Sequence, residues 1–175
     1  MVQVSDAEIK FDNRFTREFG CPKGRAATKV VDYLDDRVRE FIGQSPFLVM
    51  ATSASDGTCD ASSKGGKPGW VKILDDRTLL IPDVAGNKLF QSYQNMNENP
   101  NIALIFFIPG VPETVRVNGI VRIVDRTELD DMQVALEVFD PDENAKILQG
   151  VVVEIGEAYG HCPRALNFSR LWKSG

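Results

Sequence analysis

The chain has 175 residues, of which 43% are apolar and 26% charged, and its formal net charge is −5 at pH 7. This length and composition are ordinary for one soluble domain that buries a substantial core. The acidic balance argues against nucleic acid as a partner, because a phosphate backbone requires a basic surface. The longest apolar run, residues 102–108, is too short to span a membrane.

The first 25 residues are predicted to form an N-terminal arm, followed by one domain of residues 26–175. Phe11, Phe15 and Phe19 recur every four positions, which favours a short helix or an arm with one apolar side. The start of the chain lacks the basic and apolar regions of a signal peptide. Its three widely spaced cysteines do not indicate a disulfide framework. We therefore expect a reducing, cytoplasmic location.

Helices are predicted where apolar residues recur with a period near 3.6. The first has Thr28 as its cap and is ended by Gly43, since glycine commonly follows a helix. The third has Thr127 as its cap. The predicted helices cover residues 29–42, 88–98 and 128–139, and a short fourth leads up to residue 172.

Strands are predicted where short apolar or alternating runs lie between turn-forming residues. Residues 101–108 are almost wholly apolar, so we expect a central strand covered on both faces. Gly119 is expected to mark a bulge or a barrel corner. The predicted strands cover residues 47–53, 59–64, 70–74, 78–81, 101–108, 113–124 and 150–159.

Six or seven short strands with three to four helices around them predict a mainly β fold of the α+β class. Most of the strands are joined by turns, which favours an antiparallel barrel. Periodicity alone fits a sandwich equally well.

One candidate anion site is the segment Ser62-Ser63-Lys64-Gly65. Two hydroxyls, an ammonium and a glycine with an accessible amide suit a bound phosphate. An ordinary polar end of a strand explains the same residues.

A second candidate anion site is the segment from Asp83 to Lys88, followed by Ser92 one turn further along. A glycine before a helix start leaves backbone amides free at the positive end of the helix dipole. Asn87 would add a side-chain donor and Lys88 a charge. The alternative is a capped helix without a ligand.

His161 is the only histidine and so the only side chain whose ordinary pKa lies near neutrality. It is a candidate for proton transfer, for a hydrogen bond to a ligand, or simply for a helix start. A nucleophilic pair with Cys162 is disfavoured, because adjacent residues seldom point toward each other. No metal site is predicted, since the cysteines form no CxxC pair.

The order of several motifs resembles the pyridoxamine 5′-phosphate oxidase-like family of FMN-binding split-barrel proteins. The likeness is densest over residues 47–124 and returns at residues 161–165, and it points to a branch distinct from the vitamin enzyme. The motifs are Asp-x-Ser-x-Lys-Gly at 60–65, Pro-Gly-Trp-Val-Lys at 68–72, Leu-Asp-Asp-Arg-Thr-Leu-Leu-Ile-Pro-Asp at 74–83, and Gly-Asn at 86–87.

The resemblance implies a split barrel that binds FMN between the two subunits of a homodimer. Family members often carry proline and arginine where this chain has Ser63 and Lys64, and a basic residue where it has Leu89. Lysine keeps the charge of arginine but loses its bidentate geometry. The implied FMN contacts are Ser62, Ser63, Lys64, Asp83, Asn87, Lys88 and Ser92, with Thr114 and Trp172 reaching the flavin of the neighbouring subunit.

The implied activity is that of an FMN-dependent oxidoreductase acting on an unknown small molecule. The alternative is a non-catalytic module that carries a flavin, a deazaflavin or haem on the same barrel. Pyridoxamine phosphate oxidation itself is not expected, because we find no counterpart of the vitamin enzyme's substrate-phosphate residues.

Overall fold

A computed structural model describes residues 12–86, 88–138 and 146–172. These residues form seven strands and six short helices. The strands are β1 Phe47–Ser53, β2 Cys59–Gly65, β3 Lys72–Ile73, β4 Thr78–Val84, β5 Asn101–Phe107, β6 Thr114–Val124 and β7 Ile147–His161. The helices are α1 Arg14–Phe19, α2 Arg25–Thr28, α3 Asp36–Gln44, α4 Gln91–Glu98, α5 Arg126–Asp131 and α6 Arg164–Ser169.

The strands form one antiparallel sheet in the order β2-β1-β5-β6-β7-β4-β3. The predicted antiparallel split barrel with peripheral helices is confirmed. The described helices outnumber the predicted three to four because several have only four to six residues, too few to leave a clear periodic pattern.

The sheet curls so that its two ends approach each other. Lys64 on β2 and Asp83 on β4 are separated by four strands in the sheet order, yet Lys64 Nζ lies 3.7 Å from Asp83 Oδ1. Leu48 of β1 and Leu79 of β4 belong to the same buried core. The open seam of the barrel therefore lies where β2 faces β4.

Gly119 marks a bulge, as the sequence predicts. The β6–β7 register shifts between Asn118 and Gly119. A Cβ atom at Gly119 would lie 2.0 Å from the backbone oxygen of Glu154. Any larger residue would therefore force the two strands apart.

The prediction that the strand at residues 101–108 is covered on both faces is wrong for the single chain. Ile102, Leu104 and Phe106 are buried in the core. On the opposite face Ala103 is exposed and Ile105 is only half-buried. The continuous apolar run thus includes an outer face that the chain does not itself cover.

The helix predicted at residues 29–42 is confirmed only over residues 36–42, and its predicted start is wrong. Val31 forms an antiparallel bridge with Ala158 of β7, and α3 begins only after Asp35, whose side chain accepts from Val38 N. A pairing with a strand distant in sequence and a strong N-cap thus override the local periodicity. Gly43 lies inside α3 rather than after it, and Thr28 ends α2 instead of starting a helix.

The other predicted helices are too long. Helix α4 starts at Gln91 rather than at residue 88, because Lys88 and Phe90 adopt left-handed conformations (φ 59° and 52°). Helix α5 is capped by Asp125 instead of Thr127 and ends at Asp131, well before the predicted end at residue 139, which lies outside the described residues. Helix α6 ends at Ser169, before Trp172.

In the predicted arm, α1 is the expected short helix, and Phe15 and Phe19 are exposed. Phe11, the first member of the predicted apolar side, lies outside the described residues. The division between arm and domain at residue 25 stays a prediction.

Candidate functional site

A cavity of about 320 Å³ lies at the seam between β2, the end of β4 and the start of α4. It brings together residues from both segments that the sequence singles out as anion sites. The predicted residues that line it are Ser62, Ser63, Lys64, Asp83, Lys88 and Ser92. Asn87 lies outside the described residues.

The alternation of β2 decides which of its side chains share a face. Asp60, Ser62 and Lys64 stand opposite Thr52, Met50 and Leu48 of β1, which are all buried. Since cross-strand partners lie on the same face of a sheet, these three β2 side chains point to the inner side of the barrel. Ser63 belongs to the opposite face, so only one of the two serine hydroxyls accompanies Lys64.

The N-terminus of α4 borders the cavity and lacks a side-chain cap. Gln91, Ser92 and Tyr93 line the cavity, and the N-cap residue Phe90 makes no side-chain hydrogen bond to the helix. The first amides of a helix have no partner within the helix, and the helix dipole makes this end positive. This end of α4 is therefore suited to an anionic group.

Asp83 is the central carboxylate of the cavity and is only 7% exposed. Besides its contact with Lys64, it accepts a hydrogen bond from Gln149 Nε2 at 3.1 Å. Burial, and then the charge of Asp83 and a hydrogen bond to it, raise the pKa of Tyr93. The Tyr93 hydroxyl therefore stays protonated and donates to Asp83.

Lys64 is held from two sides. Its ammonium lies near Asp83 and also 5.4 Å from the centre of the Tyr93 ring, a distance typical of a cation–π contact. These contacts fix the position of Lys64 at the seam. The negative charge of Asp83 also partly neutralises the positive charge of Lys64.

Ser92 is engaged with a second carboxylate. Its Oγ donates to Asp60 Oδ2 at 2.5 Å, so its hydroxyl proton is already used in this structure. Asp60 lines the cavity and was not predicted as a site residue. Its position two residues before Ser62 on the same strand is a signal that would have identified it.

The formal charges of the cavity cancel. Its described lining contains Lys64, Lys88, Asp60 and Asp83. Lys64 is paired, whereas Lys88 forms no ion pair within the described part of the chain. Lys88 and the start of α4 therefore supply most of the attraction for an anion.

The remaining predicted residues lie outside this cavity. Thr114 is buried and stands opposite His161 in the β6–β7 register. Trp172 Nε1 donates to the backbone oxygen of Val111 at 2.9 Å, which ties the C-terminal segment to the β5–β6 turn. Thr114, His161 and Trp172 therefore lie near the N-terminal end of β6, away from the seam.

His161 has a polar atom without an internal partner. Its Nδ1 is buried and makes no hydrogen bond with the described residues. Burial, followed by the charges of Arg116 and Lys29, lowers the pKa of His161 below its ordinary value of 6.5. The imidazole is therefore neutral at pH 7.

The described ranges contain neither a membrane-spanning helix nor a cluster of metal-ligating side chains. None of the helices there is long and apolar enough to cross a membrane. Nor do three or more His, Cys, Asp or Glu side chains in those ranges gather so as to hold a metal ion.

The fold is that of a split barrel of the pyridoxamine phosphate oxidase-like class. The sequence profile described as "Pyridoxamine 5'-phosphate oxidase" matches residues 34–157, and the chain belongs to this family. No curated protein is significantly similar to it.

Several solved structures share the fold. A putative pyridoxamine 5′-phosphate oxidase from Lactobacillus delbrueckii is 20% identical, with a TM-score of 0.55 over 75% of this chain and 99% of that one. HupZ from group A Streptococcus is 14% identical, with a TM-score of 0.51 over 72% and 92%. A Clostridium acetobutylicum protein related to general stress protein 26 is 10% identical, with a TM-score of 0.51 over 71% and 85%. At these identities the likeness shows the fold alone.

Proposed function

We propose that the chain binds FMN in the seam cavity and acts as a flavin-dependent oxidoreductase on a small molecule. The observation that carries this proposal is the set of donors gathered there: Ser62, Lys64, Lys88 and the uncapped start of α4. In a chain of this family, such a set is suited to a flavin phosphate.

The donor chemistry fits a phosphate, with one restriction. Lys88 and the first amides of α4 would hold the phosphate oxygens, with Ser62 as a hydroxyl donor and Asn87 as a further proposed donor. Lys64 adds less net attraction because Asp83 shares its charge. Asp60 and Asp83 weaken the overall attraction for a dianion.

When bound, FMN supplies the hydride or electron chemistry. The residues of the chain then bind, orient and shield the ring. A dedicated acid–base residue is not required for this chemistry. His161 therefore enters the proposal only as a candidate for positioning a ligand.

We further propose that two copies pair through the outer face of β1 and β5. Val49, Ala51, Ala103 and Ile105 line an apolar hollow of about 240 Å³ on this face, with Arg116 and Tyr159 at its edge. A homodimer of the obligate kind would bury about 2,000 Å² or more. In such a dimer Thr114 and Trp172 are proposed to reach the partner's flavin, and two-fold symmetry repeats the site.

The absorbance spectrum of the purified protein tests the cofactor and the class of function. We expect flavin bands that bleach with a nicotinamide electron donor. Flavin bands that resist every donor would favour a carrier, and a haem-like band would contradict the flavin assignment. The mass of the compound released by heat then identifies the ligand.

The phosphate contacts are tested by replacing the two cavity lysines. Lys64→Ala and Lys88→Ala should each weaken FMN binding by about 1–3 kcal/mol, the usual contribution of a charged hydrogen bond, with the larger loss for Lys88. Riboflavin, which lacks the phosphate, should be much less affected. The measurement is a flavin fluorescence titration, with Lys23→Ala in the exposed arm as a matched control. Equal losses for both ligands would mean that the lysines support the fold instead.

A further inference from the structure

Beside the seam cavity lies a second hollow of about 230 Å³, here called the second lobe. Ser63, Lys64, Asp83 and Val84 line both spaces, so the two adjoin. The second lobe adds a different set of walls, chiefly Gly65, Gly66, Pro82, Trp70 and Glu137.

Trp70 lines the second lobe and carries an unsatisfied donor. Its Nε1 atom is buried and has no acceptor within the described parts of the chain. A Cβ atom at Gly66 would lie 2.7 Å from Trp70 Cγ, so the glycine allows the indole to pack tightly against the backbone. A buried N–H group without a partner costs about 1–3 kcal/mol, and such groups call for an explanation.

The remaining groups of the lobe limit what an acceptor for Trp70 can be. Glu137 offers a carboxylate that only accepts hydrogen bonds, and Asp83 adds a second negative charge against the single positive charge of Lys64. A ligand carboxylate would therefore meet repulsion and would offer Glu137 no donor. An ammonium group would offer Trp70 no acceptor.

An uncharged primary carboxamide satisfies both groups, because its oxygen accepts and its nitrogen donates. The indole, Pro82 and Val84 supply apolar walls, which suit a planar ring. Because Nε1 is buried, the indole or the atoms that cover it must move before the oxygen can reach it.

We propose that the second lobe is a substrate subsite for a planar ring that carries a carboxamide, with Trp70 as the donor and Glu137 as the acceptor. This proposal rests on the proposed function, since the substrate would lie in the lobe that adjoins the FMN cavity. It adds to that function the chemical class of the substrate that would react with FMN.

The test follows the indole N–H directly by proton–nitrogen NMR on the FMN-saturated protein and on the FMN-free protein. The chain has two tryptophans, and Trp172→Phe assigns the two indole signals, or Trp70→Phe if that variant does not fold. Benzamide and benzoate are the matched probes. Trp172 is an internal control because its N–H already has an acceptor.

We expect benzamide to move the Trp70 indole proton downfield in a saturable manner, while Trp172 stays unmoved. Benzoate should bind at least about tenfold more weakly, and Glu137→Gln should reduce that preference to a few-fold. A Trp70 signal that benzamide leaves unmoved, or that both probes move equally, would overturn the proposal. So would an indole proton that is downfield and protected before any probe is added, because that would reveal an acceptor inside the protein.

The two proposals fail separately. If FMN does not bind, the proposed function fails whatever the indole signals show. If FMN binds and the Trp70 signal does not respond to benzamide, only the subsite fails.

Discussion

Asp83 is a nearly buried carboxylate that organises three other side chains of the seam. Lys64, Tyr93 and Gln149 all contact it. Its charge fixes these side chains but also opposes the phosphate that the cavity is proposed to bind. Stability and ligand affinity therefore respond to Asp83 in opposite directions.

Replacing Asp83 with asparagine separates these two effects. The Asp83→Asn variant should lose about 1–3 kcal/mol in its free energy of unfolding, because Lys64 and Tyr93 lose a charged acceptor. FMN should bind several-fold more tightly, since the cavity becomes net positive, while riboflavin affinity stays the same. Urea unfolding and flavin titration measure the two quantities.

The control is Asp130→Asn, which removes an exposed ion pair with Arg126 and should change stability little. An FMN affinity that falls in Asp83→Asn would show that Asp83 assists ligand binding instead of opposing it.

His161 makes stability depend on pH with a definite sign. Because burial, Arg116 and Lys29 lower its pKa in the folded chain, the unfolded chain binds the proton more readily at mildly acidic pH. The free energy of unfolding therefore rises as the pH increases toward 6.5 and then levels off, as far as this residue is concerned. The His161→Asn variant should lose this part of the pH dependence. Parallel pH profiles of unfolding for the two proteins would show that His161 contributes none.

At the residue level, the sequence singles out residues that prove to line one cavity, but it does not indicate the bonds between them. Six predicted residues line one cavity, because their segments carry recognisable motifs. The bond between Asp83 and Gln149 joins strands far apart in the sequence, and no local pattern indicates it. Nor does a local pattern indicate that Trp70 and Glu137 line the second lobe together.

At the level of elements, strands were easier to predict than helices. Alternation and turn residues mark each strand locally, and all seven predicted strands appear, β1 with its predicted bounds and the other six with shifted ends. The start of α3 depends instead on the bridge between Val31 and Ala158. Helix α4 depends on left-handed residues that periodicity cannot reveal.

The β6–β7 bulge gives the element-scale prediction. Gly119→Ala should lower the free energy of unfolding by about 3 kcal/mol or more, at the upper end of overpacking costs, because the backbone of Glu154 cannot move aside cheaply. Gly156→Ala on β7 is the matched control, since its Cβ would lie 3.7 Å from the nearest atom, an ordinary contact. Urea unfolding of both variants measures the difference, and equal losses would show that the bulge tolerates a side chain.

At the scale of the whole molecule, the unexplained feature is the apolar outer face. Ala51 and Ala103 are cross-strand partners and both are exposed, and Val49 and Ile105 beside them are only half-buried. The sequence shows this face as an unusually continuous apolar run in β5. The sequence cannot show what covers the face, because the residues of one chain do not specify which partner packs against them.

The proposed dimer is tested by a substitution that places a charge at the centre of that face. Ala103→Glu should weaken dimerisation by about 3–5 kcal/mol, the cost of an unpaired buried charge, which is at least a hundredfold in the dissociation constant. FMN affinity should fall with it, because the proposed site needs Thr114 and Trp172 of the partner.

Leu74→Glu is the control, since Leu74 is a partly exposed apolar residue after β3 at the end of the strand order, and it should leave the dimer intact. Light scattering at micromolar concentration measures the assembly, and a monomeric native protein, or an Ala103→Glu dimer with unchanged FMN binding, would contradict the shared-site arrangement.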